Sequence, residues 1–107
     1  MAEIDHQLVR TIIERVTSVS APDRIILFGS AARGDMNRDS DIDLLVLRSG
    51  SFNIREERKK IRDALFGFEY PIDLILMQTE QFERSKHVVG GIAYPANGQG
   101  VLIYESH

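Results

Sequence analysis

Leu27-Phe28-Gly29-Ser30-Ala31-Ala32-Arg33-Gly34, followed by Ser40-Asp41-Ile42-Asp43-Leu44-Leu45-Val46-Leu47, is the stretch whose reading decides the fold. Ile25 to Phe28 is a continuous apolar run stopped by Gly29-Ser30, as expected of a strand buried on both faces. Ala31-Ala32-Arg33 restarts as a helical turn, and Gly34, Asp35, Asn37 and Asp39 make a connection of turn formers. Asp41 to Leu47 reads as a second strand. Alternate strand side chains share a face, so Asp41 and Asp43 project together while Ile42, Leu44 and Val46 project to the other. Glycine lets backbone approach a phosphate, and the free N–H groups of a helix start bind anions. A phosphate-gripping turn therefore stands just upstream of a carboxylate pair.

Outward from this stretch, Leu8, Val9, Ile12, Ile13 and Val16 have the spacing of an amphipathic helix over residues 5–19. Asp5 suits its N-cap, with Ile4 placed to staple onto Val9. Pro22 stops the helix, which is expected only to cover a sheet face. Asn53 to Phe68 reads as another helix, with Asn53 as N-cap, Glu56 three residues on, and an apolar stripe of Ile54, Ile61, Ala64, Leu65 and Phe68. Its other face carries Arg55, Arg58, Lys59, Lys60 and Arg62, diluted by Glu56 and Glu57. That face is either simply solvated or leans toward a nucleotide or an acidic partner. Tyr70-Pro71 opens a third strand, Ile72 to Met77, in which Asp73 is the one charge. Thr79 is placed as the N-cap of a helix running through Phe82 to Val89. Gly90, Gly91, Pro95 and Asn97-Gly98-Gln99-Gly100 then interrupt regularity, and Val101 to Tyr104 is a short terminal strand or a docking tail. The order α-β-α-β-α-β-α, without repeat or linker, predicts one α/β (α+β) domain over residues 1–107: a small central sheet flanked by about four helices.

Composition narrows the classes. A net charge of −3 argues against direct nucleic-acid binding over the whole surface, which needs a basic face. There is no cysteine, so disulfides and thiolate metal sites are excluded. No apolar run approaches the roughly 20 residues of a membrane span, and no basic region followed by an apolar core marks a secretory signal. A cytoplasmic protein is expected. His6, His87 and His107 are scattered, without ligand spacing, and are read as incidental.

The chemistry lies in the acids. Two carboxylates held close repel unless a cation neutralises them. Hard oxygen donors without cysteine or a histidine pair favour Mg²⁺ or Mn²⁺ over Zn²⁺. Asp73 is expensive to bury unless paired or metal-bound. If the third strand lies beside the second, it completes a cluster suited to two metal ions about 3.5–4 Å apart. The Ser30 hydroxyl can add a donor to a phosphate oxygen. Arg33 either touches phosphate or holds the loop by pairing with Asp35, Asp39 or an acid of the site.

These residues carry a resemblance. Gly29-Ser30, Asp41-x-Asp43 and the later Asp73 resemble the DNA polymerase beta-like nucleotidyltransferase superfamily. Phe28-Gly29-Ser30-Ala31-Ala32-Arg33-Gly34 with Ser40-Asp41-Ile42-Asp43-Leu44 resembles its minimal nucleotidyltransferase (MNT) branch. The resemblance implies a mixed sheet flanked by helices, with Asp41, Asp43 and Asp73 as catalytic Mg²⁺ ligands. It also implies a nucleoside triphosphate, with ATP expected, bound by Gly29 and Ser30 together with Arg33 and Ser40. MNT chains often run a continuous helix where Gly90, Gly91 and Pro95 stand here, so the last helix departs from the pattern.

Larger relatives hold the acceptor on an added helical domain, for which this chain has no residues left. The acceptor is therefore expected on a partner or across an oligomer interface. Small MNT proteins are similar to the antitoxin half of HEPN/MNT toxin–antitoxin pairs, in which AMP passes from ATP to a tyrosine of the HEPN toxin. That implies a protein adenylyltransferase in a hetero-oligomer. The alternatives are nucleotidyl transfer to a small molecule such as an aminoglycoside with a separate helical subunit, or a non-catalytic module that neutralises a toxin by contact.

Overall fold

Two apolar phases run along the central strands, and a helical layer covers each. The computed structural model describes residues 6–28, 42–68, 70–85 and 100–106. Along these run α1 (His6–Val19), β1 (Arg24–Phe28), β2 (Ile42–Arg48), α2 (Ile54–Ala64), β3 (Ile72–Gln78), α3 (Thr79–Ser85) and β4 (Val101–Glu105). The strands form one mixed sheet in the order β3-β2-β1-β4, with β1 antiparallel to β2 and β4, and β2 parallel to β3.

Ile25 and Leu27 of β1 and Ile42, Leu44 and Val46 of β2 point to one face, where Ile12 and Val16 of α1 and Ile61 and Leu65 of α2 complete a core. The opposite phase, Ile26, Leu45, Leu47 and Met77, closes on Phe82 of α3. Burial on both faces is why β1 and β2 read as unbroken apolar runs. As expected, α1 serves to cover the sheet. Full burial of each of these side chains contributes about 1.5–3 kcal/mol, so the two layers carry most of the fold's stability.

Several local expectations hold and others are corrected. Asn53 caps α2 by accepting a 3.1 Å hydrogen bond from the Glu56 N–H. The helix ends at Ala64 rather than Phe68, because Leu65 is its C-cap and Gly67 has φ +89°, a conformation that favours glycine. Val101 to Glu105 is a strand and not a loose tail; it pairs with β1 through an irregularity at Ile25/Ile26. Thr79 opens α3 as predicted, but its hydroxyl donates to Asp23 Oδ2 at 2.6 Å, joining α3 to the turn before β1. The Asp5 cap, the helical turn at Ala31-Ala32-Arg33 and the segment 86–99 lie outside the described residues.

Candidate active site

Asp43 and Asp73 are the second residues of β2 and β3, and the parallel register pairs them directly. Neighbouring strands lie about 4.8 Å apart, so the two carboxylates start from adjacent backbone positions and leave on the same face. That face is the α3 side, since Ile42 and Leu44 pack on the other. The start of β3 is fixed to β2 by a 2.8 Å hydrogen bond from Ile42 N to Pro71 O, immediately before the two acids. Asp73 is exposed and Asp43 half-buried, so the pair stands at the rim of the apolar layer.

Phe28, the last residue of β1, is opposite Asp43 in the antiparallel ladder. The chain therefore leaves β1 and re-enters β2 at the same end of the sheet that carries the two acids. Gly29, Ser30, Arg33, Ser40 and Asp41 fall between those points and lie outside the described residues. Of the predicted site, the structure brings together Asp43 and Asp73.

The profile of the nucleotidyltransferase domain family matches residues 9–93, most of the chain. The chain belongs to that family. A candidate protein adenylyltransferase of Methanocaldococcus jannaschii, MJ0141, is 48% identical over 51 residues. That match covers 47% of this chain and about half, 52%, of the relative. In fold, the nucleotidyltransferase domain superposes on a candidate nucleotidyltransferase of Sulfolobus solfataricus with a TM-score of 0.61 and 24% identity, covering 92% of this chain and 81% of the other. It also superposes on a chain of the Shewanella oneidensis complex of a tri-AMPylated HEPN toxin with an MNT antitoxin, at a TM-score of 0.53 and 23% identity, covering 94% and 72% of the two chains.

The donor chemistry of the nucleotidyltransferase domain fits a hard divalent cation: adjacent carboxylates, in a chain with no thiolate. Among the described residues no group of three or more His, Asp or Glu side chains is close enough to hold a metal ion. The third carboxylate expected there, Asp41, is outside them.

Two other acids matter: Glu57, which the sequence reading counts on the basic outer face of α2 and the structure buries, and Asp23, which that reading passes over. Glu57 is 3% exposed, the one buried charged residue among those described. Ser20 Oγ and the Arg48 guanidinium both donate to its Oε2, and Lys60 Nζ lies 3.2 Å from Oε1. Burial pushes its carboxyl up, but these hydrogen bonds and the Arg48 charge outweigh burial and hold it below the usual glutamate range. The signal was present, since position 57 falls on the same helical row as Ile54, Ile61 and Leu65. Asp23 is the second. The Thr79 hydroxyl is the main cause that holds its carboxyl below the usual range, with Ser49 and Arg24 assisting against burial. Its own N–H donates to Leu47 O at 2.7 Å and its carbonyl accepts from Ser106 N at 2.9 Å, so one residue ties β2, β4 and α3 together. Beside it Arg24 reaches Glu83 of α3 at 2.7 Å and Glu105 of β4 at 3.5 Å. Neither network adjoins the strand ends that carry Asp43 and Asp73; they brace the opposite ends of β1 and β2.

Proposed function

We propose that this chain is a Mg²⁺-dependent nucleotidyltransferase that moves AMP from ATP to a tyrosine of a HEPN-type toxin, as the antitoxin of the pair. The observation that carries the reading is the register match of Asp43 and Asp73 on adjacent parallel strands. Surface acids scatter, whereas two acids at the heads of apolar strands on one face support the reading of a site. The family match, the adenylyltransferase naming of the archaeal relative, and a fold shared with a complex that contains an AMPylated HEPN toxin support it.

Asp41, Asp43 and Asp73 would hold the cation. When bound, it would neutralise the triphosphate and stabilise charge on the departing pyrophosphate. Gly29 and Ser30, with Arg33 and Ser40, would grip the phosphates where the chain leaves β1. In the transfer the tyrosine hydroxyl gives up its proton to solvent and its oxygen bonds to the α-phosphorus, as the bond to the bridging oxygen breaks and pyrophosphate leaves. The chain's task is to place acceptor and phosphate in line, which by itself supplies much of the acceleration. A cytoplasmic setting agrees with the absence, among the described residues, of any helix long and apolar enough to cross a membrane.

Incubation with α-labelled ATP, Mg²⁺ and the product of the neighbouring gene tests this. Label on the partner that disappears in the Asp41→Asn/Asp43→Asn variant is the expected result. Toxin neutralised by that variant with no label on any acceptor overturns it in favour of contact alone. Label on an added aminoglycoside and none on protein overturns it in favour of a small-molecule acceptor.

A further inference from the structure

The outward face of α2 has no part in the site above. Arg55, Arg58, Lys59 and Arg62 recur at i, i+3, i+4 and i+7, and so line one side of this 11-residue helix. Like charges at these spacings destabilise a helix: Arg55 faces Arg58 and Lys59, and Arg62 faces the same two. The Lys59–Asp63 pair, at 3.0 Å, offsets this in part. Among the described residues Arg55, Arg58 and Arg62 form no ion pair, in a chain whose net charge is −3. A basic row that weakens its own helix and runs against the charge of the whole chain points to a ligand outside it.

The row leads into Phe66, which is 85% exposed. Phe66 is not held out by a loose turn. Its N–H donates to Asp63 O at 3.2 Å, and its carbonyl accepts from the Arg15 guanidinium at 3.0 Å. The same guanidinium lies 4.6 Å over the Phe68 ring. Gly67, at φ +89°, lets the chain reverse between the two aromatics. With Phe66 thus fixed, a pocket of about 210 Å³ opens between the end of α2 and the start of β3, lined by Leu65, Phe66, Phe68, Tyr70, Ile72 and Leu74. A cavity of roughly 150 Å³ walled by apolar side chains takes a benzene ring, so this one has room for a large apolar side chain. Arg62 and Phe66 border both the pocket and the basic groove beside it, making one continuous surface. Arginine and aromatic anchors around an apolar centre are the composition of interface hot spots.

We propose that this surface docks an acidic helical segment of a protein partner, with one apolar side chain of that segment seated in the pocket. The charge pattern selects the partner's chemistry. Arg55 and Arg62 stand two turns apart, about 10.5 Å along the axis, which matches carboxylates at i and i+7 on a facing helix. The aliphatic share of the pocket, Leu65, Ile72 and Leu74, favours a side chain over a stacked base, which would take aromatic faces alone. The proposal stands on this surface and does not depend on the transfer reaction.

The test is an NMR titration of the full ¹⁵N-labelled chain with a synthetic helical peptide of about 15 residues, carrying Glu on one face and a single Phe anchor. Shifts confined to residues 55–74, and weakening with added salt, are expected. Phe66→Ala should weaken binding about tenfold or more, as loss of an aromatic anchor does. Arg58→Glu/Arg62→Glu should abolish it, and a peptide with Lys in place of Glu should restore binding to that variant and not to the parent chain. Phe66 is exposed and Arg58→Glu/Arg62→Glu relieves repulsion along the row, so both variants should keep or exceed the parent's melting temperature. Absence of shifts at residues 55–74, or failure of the charge-swapped peptide to rescue, overturns the proposal. An oligouridylate that binds this face more tightly than the peptide, with no loss in Phe66→Ala, overturns it in favour of nucleic acid. Dimerisation of the chain that Phe66→Ala abolishes, without peptide binding, overturns it in favour of a second copy.

Discussion

Glu57 and the Asp43–Asp73 pair show two ways of placing acids against an apolar core. Glu57 is nearly sealed from solvent and ringed by Ser20, Arg48 and Lys60. Asp43 and Asp73 are set beside one another at the rim of the sheet by strand register. An acid compensated within the chain is part of the structure: it is fixed, its charge is cancelled, and removing it leaves a guanidinium without its partner. Acids set side by side by strand register offer two carboxylates to one cation, an arrangement typical of functional sites rather than of packing. The difference separates an acid that holds the fold from a pair proposed to bind a ligand.

The contrast is broken most sharply by removing charge at each place. Asp43→Asn or Asp73→Asn should lower AMP transfer by about 10²–10³ or more, with a far smaller change in melting temperature than a substitution at Glu57. Transfer of labelled AMP read beside a thermal melt checks both halves. Glu57→Ala should do the reverse, destabilising by about 3 kcal/mol, the low end for breaking a buried pair because Arg48 still reaches solvent. Its melting temperature should fall by roughly 10 °C or more, with transfer per folded molecule retained.

Titration sharpens the same comparison. Glu57 and Asp23 both have folded pKa values below their ordinary ones. The stability they contribute is therefore fully present above about pH 4–5, and is lost as pH falls through the depressed folded values. Denaturant midpoints between pH 7 and pH 3 should drop steeply for the parent chain and less steeply for Glu57→Ala. The smallest effect is expected for Thr79→Val, which keeps shape and removes the hydroxyl that holds Asp23. A loss of about 1 kcal/mol is expected, since Ser49 remains bonded to the carboxylate, and chemical denaturation checks it.

Much of the fold, and the placing of Asp43 within the candidate site, was legible because the signals are local. Phase along one strand fixes Asp43 opposite to Ile42 and Leu44, a cap motif fixes the start of α2 at Asn53, and unbroken apolarity marks β1 and β2 as two-sided. Glu57 was misplaced, counted on the basic face of α2 although its spacing from Ile54 and Ile61 puts it on the apolar row, and its partners Ser20 and Arg48 come from elsewhere in the chain. The Asp23 clip was hidden for the same reason, since Thr79 is far away in sequence. Phe66 looked like part of a helix, and its exposure follows from where α2 stops and from Arg15, a residue of another helix, holding the turn.

The sequence by itself determined the elements, the sheet's two apolar phases and the motif that carries the family resemblance, because these depend on neighbours within one or two turns. Tertiary structure decided which strands meet. Asp73 is a candidate ligand beside Asp43 because β3 pairs parallel with β2 in register, and a one-residue slip would send every side chain of β3 to the other face. It also decided that the end of α2 opens a pocket onto the start of β3. Pairing and pocket alike are set by how two layers of helices pack on one sheet, which no single stretch of the chain encodes.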